Sequence, residues 1–254
     1  MATAEHLERN QWGWGKIKVG NDYEWYPRIS TLAGVYKDTF QLDLWKNRLV
    51  AKGVAADAAL QQQILLSNNN QELNELVDRA FIAAGGKTAA NKGTLIHELT
   101  EKIDRGENPD IPPEYRGVIE SYVRAIDLSG LKPHMSEQFV VNDDLKVCGS
   151  FDRSWITPGG VHVIGDLKTG ARAYPHQVAM QLAMYANGVL YDPVTEERTP
   201  LGDVSTEVGV LIHAPLAGGC KIIGIELEDA YKWVSLAVES RAWHKTTISF
   251  DWSK

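Results

Sequence analysis

The chain has 254 residues, of which 44% are hydrophobic and 23% charged, ordinary proportions for a globular protein with a sizeable core. Its formal charge of −7 excludes a protein that coats nucleic acid indiscriminately, since phosphate binding rests on Lys and Arg; a local basic groove beside an acidic site stays open. The two cysteines, Cys148 and Cys220, lie far apart without C-x-x-C spacing, which excludes a zinc knuckle and a disulfide framework.

No run approaches the ~18 to 20 apolar residues of a membrane span. Met1-Ala2-Thr3-Ala4-Glu5-His6 lacks the basic-then-apolar order of a secretion signal, so a cytoplasmic protein without membrane contact is expected. Lys16 to Val19 and Tyr23 to Tyr26 flank Gly20-Asn21-Asp22 and predict a hairpin closed by Pro27. Ser30 and Thr31 are caps for a short helix, and Asp38 or Thr39 for a longer one, with residues 39–84 mostly helical. Asn68-Asn69-Asn70 reads as an interhelical loop and Gly85-Gly86 as a break before a helix from about Thr94 to Asp104. Another helix follows around Glu114 to Leu128.

From Ser136 the pattern changes. Glu137 to Val141, Lys146 to Ile156 and Val161 to Lys168 are rich in β-branched and aromatic residues and predict a three-stranded meander, turning at Asn142-Asp143-Asp144 and at Thr157-Pro158-Gly159-Gly160. Pro175 can open a helix that runs from Gln177 to Leu190. Strands near Glu207 to His213 and Lys221 to Leu227 then precede a helix opening at Glu228-Asp229. The order predicts an α/β layered core behind a helical N-terminal region, with residues 1–90 packed on a core of 91–254.

Asp166 and Lys168 are two apart on a strand and so share one face, a carboxylate beside an ammonium. Asp152 lies on the preceding strand, so two carboxylates could converge on a hard divalent cation that favours oxygen ligands. By spacing alone these residues equally suit surface ion pairs. His97 falls nearly opposite the apolar stripe of Leu95, Ile96, Leu99 and Ile103, either solvent-exposed or a ligand. Gln177, Gln181 and Tyr185 recur every four residues as a polar stripe, open to DNA contact or to plain solvation. Trp12, Trp14, Trp25 and Tyr26 suit either core packing or base stacking.

Taken in order, G-x-x-x-H (Gly93 to His97), Glu137 on the first strand, G-x-x-D-R (Gly149 to Arg153), D-L-K-T-G (Asp166 to Gly170) and Q-x-x-x-Y (Gln181 to Tyr185) form a series. It resembles the RecB-like nuclease domain of the PD-(D/E)XK superfamily, which also occurs in CRISPR-associated adaptation exonucleases and phage recombination exonucleases. The resemblance covers about residues 93 to 190. It implies a restriction-endonuclease-like α/β core, a central mixed sheet flanked by helices. It further implies Mg²⁺ or Mn²⁺ held by His97, Asp152, Asp166 and the Leu167 carbonyl, with Asp152, Asp166 and Lys168 as the catalytic set and Lys168 positioning or deprotonating the attacking water. Glu137, Gln181 and Tyr185 are implied supporting residues.

Gln177, Arg153, Arg172 and Lys92 are the first candidates for DNA contact, with Lys87 and Arg28 after them. Phe151 stands where the superfamily name has Pro, and two cysteines cannot supply the four-cysteine iron-sulfur cluster of many CRISPR-associated relatives. The nearer analogy is a cluster-free phage-type exonuclease of DNA recombination or repair, acting in the host cytoplasm if phage-encoded. A recombination or annealing protein as partner and a homo-oligomer are compatible with it. A non-catalytic DNA-binding protein on the same fold and a structure-specific endonuclease are the alternatives.

Overall fold

Gly20 and Asn21 make the two-residue turn between β1 (Gly15–Val19) and β2 (Asp22–Tyr26), with Gly20 at the positive φ of 60° that such a turn requires. The short helix α1 (Ile29–Ala33) follows, with Ser30 and Thr31 inside it rather than capping it. The computed structural model describes residues 4, 6–244 and 246. These divide into two compact units, Met1–Tyr36 with Leu99–Lys254, and Lys37–Glu98. In this division β1, β2 and α1 group with the sheet, and the helical stretch that follows α1 forms the second unit.

The Lys37–Glu98 unit is helical: α2 (Phe40–Ala56), α3 (Ala58–Leu66), α4 (Asn70–Ala83) and most of α5 (Thr88–Asp104). Asp57 caps α3 by accepting from the Ala59 and Leu60 amides at 2.9 and 3.0 Å, and Asn69 caps α4 from Gln71 at 2.7 Å. Its small core joins Leu60, Leu76 and Ala80 to Val50, Val54 and Ile64. At Gly53 a Cβ would stand 2.0 Å from the Ala80 carbonyl oxygen, so α2 and α4 cross only because this residue is glycine.

In the larger unit a 3-10 turn (Pro113–Tyr115) leads into α6 (Arg116–Ser129), which Gly130 ends at φ 68°. The meander follows as predicted, as β3 (Lys132–Asn142), β4 (Val147–Ile156) and β5 (His162–Lys168), all antiparallel. After it α7 (Pro175–Ala186) stops four residues before Leu190. The cause lies at Gly188, where a Cβ would meet Val140 Cγ1 at 2.4 Å and the Val141 carbonyl at 2.7 Å. The chain there turns against β3, and Val189–Tyr191 becomes the strand β6. Next come β7 (Arg198–Pro200), β8 (Val208–His213), β9 (Lys221–Glu226) and α8 (Glu228–Trp243).

The seven strands run in the order β7-β6-β3-β4-β5-β8-β9; β5 and β8 are parallel and all other neighbours antiparallel. The protein is therefore α/β, with a mixed sheet flanked by helices. The main core sets α7 against the sheet: Val178, Leu182 and Met184 meet Phe151, Ile164 and Leu211, and α1 and α8 close it with Leu32 and Val234. Each residue of α7 from Val178 to Ala186 except Gln181 is buried, so the helix is an internal pillar rather than a surface element. Among the described residues no helix is long and apolar enough to cross a membrane.

Candidate active site

Strand register builds the site. Arg153 pairs with Gly165, and one step further along β4 and β5 brings Asp152 beside Asp166. On the other side of β4, Ser136 pairs with Arg153 and Gln138 with Phe151, which places Glu137 opposite Asp152. Glu137, Asp152 and Asp166 thus form one row across three adjacent strands, although 29 residues of sequence separate its ends. Glu137 adopts φ 51°, an uncommon backbone for a non-glycine residue, which marks an irregularity in β3 at the row.

Asp166 is buried on β5 and Lys168 is two residues on, with its Nζ 2.6 Å from Asp166 Oδ2. Apart from this ion pair, Asp166 Oδ2 is a buried oxygen that meets no hydrogen-bond donor. Asp166 Oδ1 accepts from Gln181 Nε2 at 3.4 Å, and Asp152 Oδ2 from the Leu167 amide at 3.4 Å, both long contacts. Leu167 turns its side chain into the core. Burial first, and then the Asp152 charge, push the Asp166 carboxyl above the ordinary range, against the pull of Lys168. Glu137 is exposed as a residue, yet desolvation of its carboxyl and the charges of Asp152 and Glu101 raise it to about 7.

Tyr185 lies beneath the row. It is buried on α7 and its hydroxyl donates to the Ser150 carbonyl at 2.6 Å, two residues from Asp152 on β4. It supports the strand and is closed to DNA, whereas Gln181 and Gln177 are half-buried on α7 and Arg172 is exposed in the loop after β5.

Arg153 is not a surface cation, as the sequence suggested, but is buried. Its Nε lies 3.0 Å from Asp104 Oδ2, its Nη2 donates to Thr100 Oγ1 at 2.8 Å, and its Nη1 to Tyr122 Oη at 3.3 Å. Tyr122 in turn donates to Asp104 at 2.7 Å. This network ties α6 and the last turn of α5 to β4 directly beside Asp152.

His97 and Lys92 lie on α5 in the Lys37–Glu98 unit, His97 half-buried and Lys92 exposed; the acid row is made entirely by the sheet unit. The tryptophans divide: Trp12 and Trp25 are exposed, and Tyr26 is buried with its hydroxyl donating to Asp143 at 2.9 Å. Sequence reasoning missed Glu101, which no strand pattern marks and only its position four residues after His97 could have suggested. It also missed Asp104 as the partner of Arg153, since a contact between a helix end and a strand 49 residues later leaves no local spacing.

Among the described residues no three His, Cys, Asp or Glu side chains form a ready-made metal cage. The row nevertheless fits a hard divalent cation: its donors are all oxygens, and the Asp152 charge raises the carboxyls of both Glu137 and Asp166, a repulsion that a cation between them would relieve. Mg²⁺ suits such an open site, because it keeps several waters and takes one or two carboxylates. No protein-family model and no curated protein matches the chain.

Proposed function

We propose that the protein hydrolyses phosphodiester bonds of DNA with Mg²⁺ or Mn²⁺, as the resemblance of its motifs to RecB-like nucleases implies. The observation that carries this reading is the alignment of Asp152 and Asp166 across β4 and β5 with Lys168 beside them. Asp152, Asp166 and the Leu167 carbonyl would hold the cation, and Glu137 would support them. When bound, the cation polarises the phosphate and lowers the pKa of water.

The residues of the chain do the rest. Lys168 sits on the face of β5 that carries Asp166, 39% exposed, so its ammonium reaches solvent where a nucleophilic water arrives and balances the charge that grows on phosphorus oxygens. Gln181 orients Asp166 by donating to its Oδ1. Tyr185 fixes the backbone at Ser150 and so the position of Asp152. The Arg153–Asp104 network fixes the same strand from the other side.

The test is digestion of end-labelled single-stranded and duplex DNA, with free and blocked ends, in Mg²⁺, Mn²⁺ or EDTA. Metal-dependent cleavage that Asp166→Asn and Lys168→Ala both remove is the expected result, and loss at blocked ends marks an exonuclease. Folded variants with full activity, or cleavage in EDTA, would overturn the reading.

A further inference from the structure

The same register that aligns the acids aligns a second row. At the end of β5, Lys168 pairs with His213 of β8, and His213 pairs with Lys221 of β9. Directly paired residues in a sheet project from the same face, so Lys168, His213 and Lys221 stand side by side at one end of three adjacent strands. Nothing in the sequence places them together, for they are 45 and 8 residues apart.

His213 has a second role. Its Nε2 lies 2.8 Å from the Gly170 carbonyl oxygen, which can only accept, so Nε2–H is the donor. This bond ties the loop after β5 to β8, and the Ala214 amide reinforces it by donating to the Lys168 carbonyl at 2.9 Å. The tethered loop carries Arg172, which like Lys221 is exposed. Neither Arg172 nor Lys221 makes an ion pair among the described residues, in contrast to Lys16, Lys146, Arg198 and Lys232, whose charges are matched by Glu8, Glu24, Asp143 and Asp229. What sets Arg172 and Lys221 apart is their place, one on the loop tied to His213 and the other paired with His213 across the sheet edge from Lys168.

We infer that Lys221 and Arg172, with His213 holding the loop, form a phosphate track that carries the DNA backbone from Lys168 across β8 to β9. The inference rests on the nuclease reading and adds to it the side of the acid row on which the substrate strand lies. Three strands at ~4.8 Å spacing span roughly 10 Å. At an axial rise of ~3.4 Å per nucleotide this span covers about three nucleotide steps of one strand. The contacts are to the backbone, so the track sets direction and register without reading base sequence.

The experiment measures binding by fluorescence anisotropy with a labelled duplex and a labelled single strand in EDTA, where metal-dependent cleavage is silent, between about 50 and about 200 mM salt. Lys221→Ala and Arg172→Ala should each make the slope of log affinity against log salt shallower, by about 0.9 on duplex or about 0.7 on a single strand. The double variant should lose roughly twice that, with equal losses on unrelated sequences. Lys221→Arg should keep the slope, and Lys232→Ala, on α8, should leave it unchanged.

Slopes for both alanine variants equal to wild type, in a protein that binds and cuts DNA, overturn the track and leave the nuclease reading standing. Lys221-dependent slopes in a protein that cuts nothing in Mg²⁺ or Mn²⁺ overturn the nuclease reading and leave the track. Absence of DNA binding overturns both.

Discussion

Two buried carboxylates in the sheet unit, Asp104 and Asp166, each have a cation beside them, and the rest of their surroundings differ. Asp104 is satisfied: Arg153 Nε lies 3.0 Å away and the Tyr122 hydroxyl donates at 2.7 and 2.9 Å. Asp166 has Lys168 at 2.6 Å, only a long contact to Gln181 besides, and a second carboxylate as neighbour. Burial raises both carboxyls; Arg153 and Tyr122 work against it at Asp104, while at Asp166 the Asp152 charge adds to it. An acid surrounded by donors holds a fold together, whereas an acid held near another acid suits the cation proposed above.

The largest expected effect separates the two in function. Lys168→Ala should lower cleavage by roughly 10²–10⁴-fold, the usual worth of a positioned proton-transfer group, and Asp166→Asn should lower it to background. Lys168→Ala takes the cation away from a buried carboxylate and should lower the melting temperature, whereas Asp166→Asn, which removes a repelling charge, should not. A melting point that falls with activity in Asp166→Asn would make Asp166 structural like Asp104.

The next effect is on stability. Arg153→Met leaves Asp104 buried and unpaired and should cost about 3–5 kcal/mol. For a chain of this size that is a melting shift of roughly 10 °C by calorimetry. Adding Asp104→Leu should recover much of the loss, because two apolar groups can replace a buried pair. A double variant no more stable than Arg153→Met would show that the network holds more than the pair.

A smaller effect is the pH dependence of the metal-free protein. Glu137 titrates at about 7 when folded against an ordinary 4.5, so the folded state binds more protons and stability falls as pH rises between about 4.5 and about 7. Melting in EDTA should therefore be higher at the acid end of that window, the dependence should shrink in Glu137→Gln, and Mg²⁺ should flatten it by favouring the ionised row. Equal pH dependence in wild type and Glu137→Gln would remove Glu137 from the row.

Much of this was legible in the sequence, for particular reasons. The meander and the shared face of Asp166 and Lys168 follow from period-two alternation and two turn clusters, all local signals. The convergence of Asp152 and Asp166 was readable because a short turn joins their strands. The fate of Arg153 was not, because burial depends on Asp104 and Thr100 of a distant helix, and a cation in G-x-x-D-R looks the same in sequence whether it meets solvent or an acid. The alignment of Lys168, His213 and Lys221 was hidden for the same reason, since the parallel pairing of β5 with β8 crosses over α7. The short strand β6 was lost to helix periodicity, as Val189-Leu190-Tyr191 continues an apolar pattern until Gly188 brings it against β3.

The smallest effect tests how α7 supports the acid row from below. Gly149 lies where a Cβ would be 3.0 Å from Tyr185 Oη and 3.4 Å from its ring, so the hydroxyl that binds the Ser150 carbonyl occupies the space a side chain at 149 would need. Gly149→Ala should cost about 1–3 kcal/mol through overpacking, and Tyr185→Phe about 1 kcal/mol through the lost hydrogen bond. The two should not add: with the hydroxyl gone, the tightest contact at 149 disappears, and a double-mutant cycle by urea denaturation should show at least ~0.5 kcal/mol of coupling. If Tyr185 positions Asp152 through Ser150, Tyr185→Phe should also weaken the apparent Mg²⁺ affinity, with a higher metal concentration needed for half-maximal cleavage. Strict additivity with unchanged metal dependence would reduce Tyr185 to a core residue, and the fit at Gly149 to packing alone.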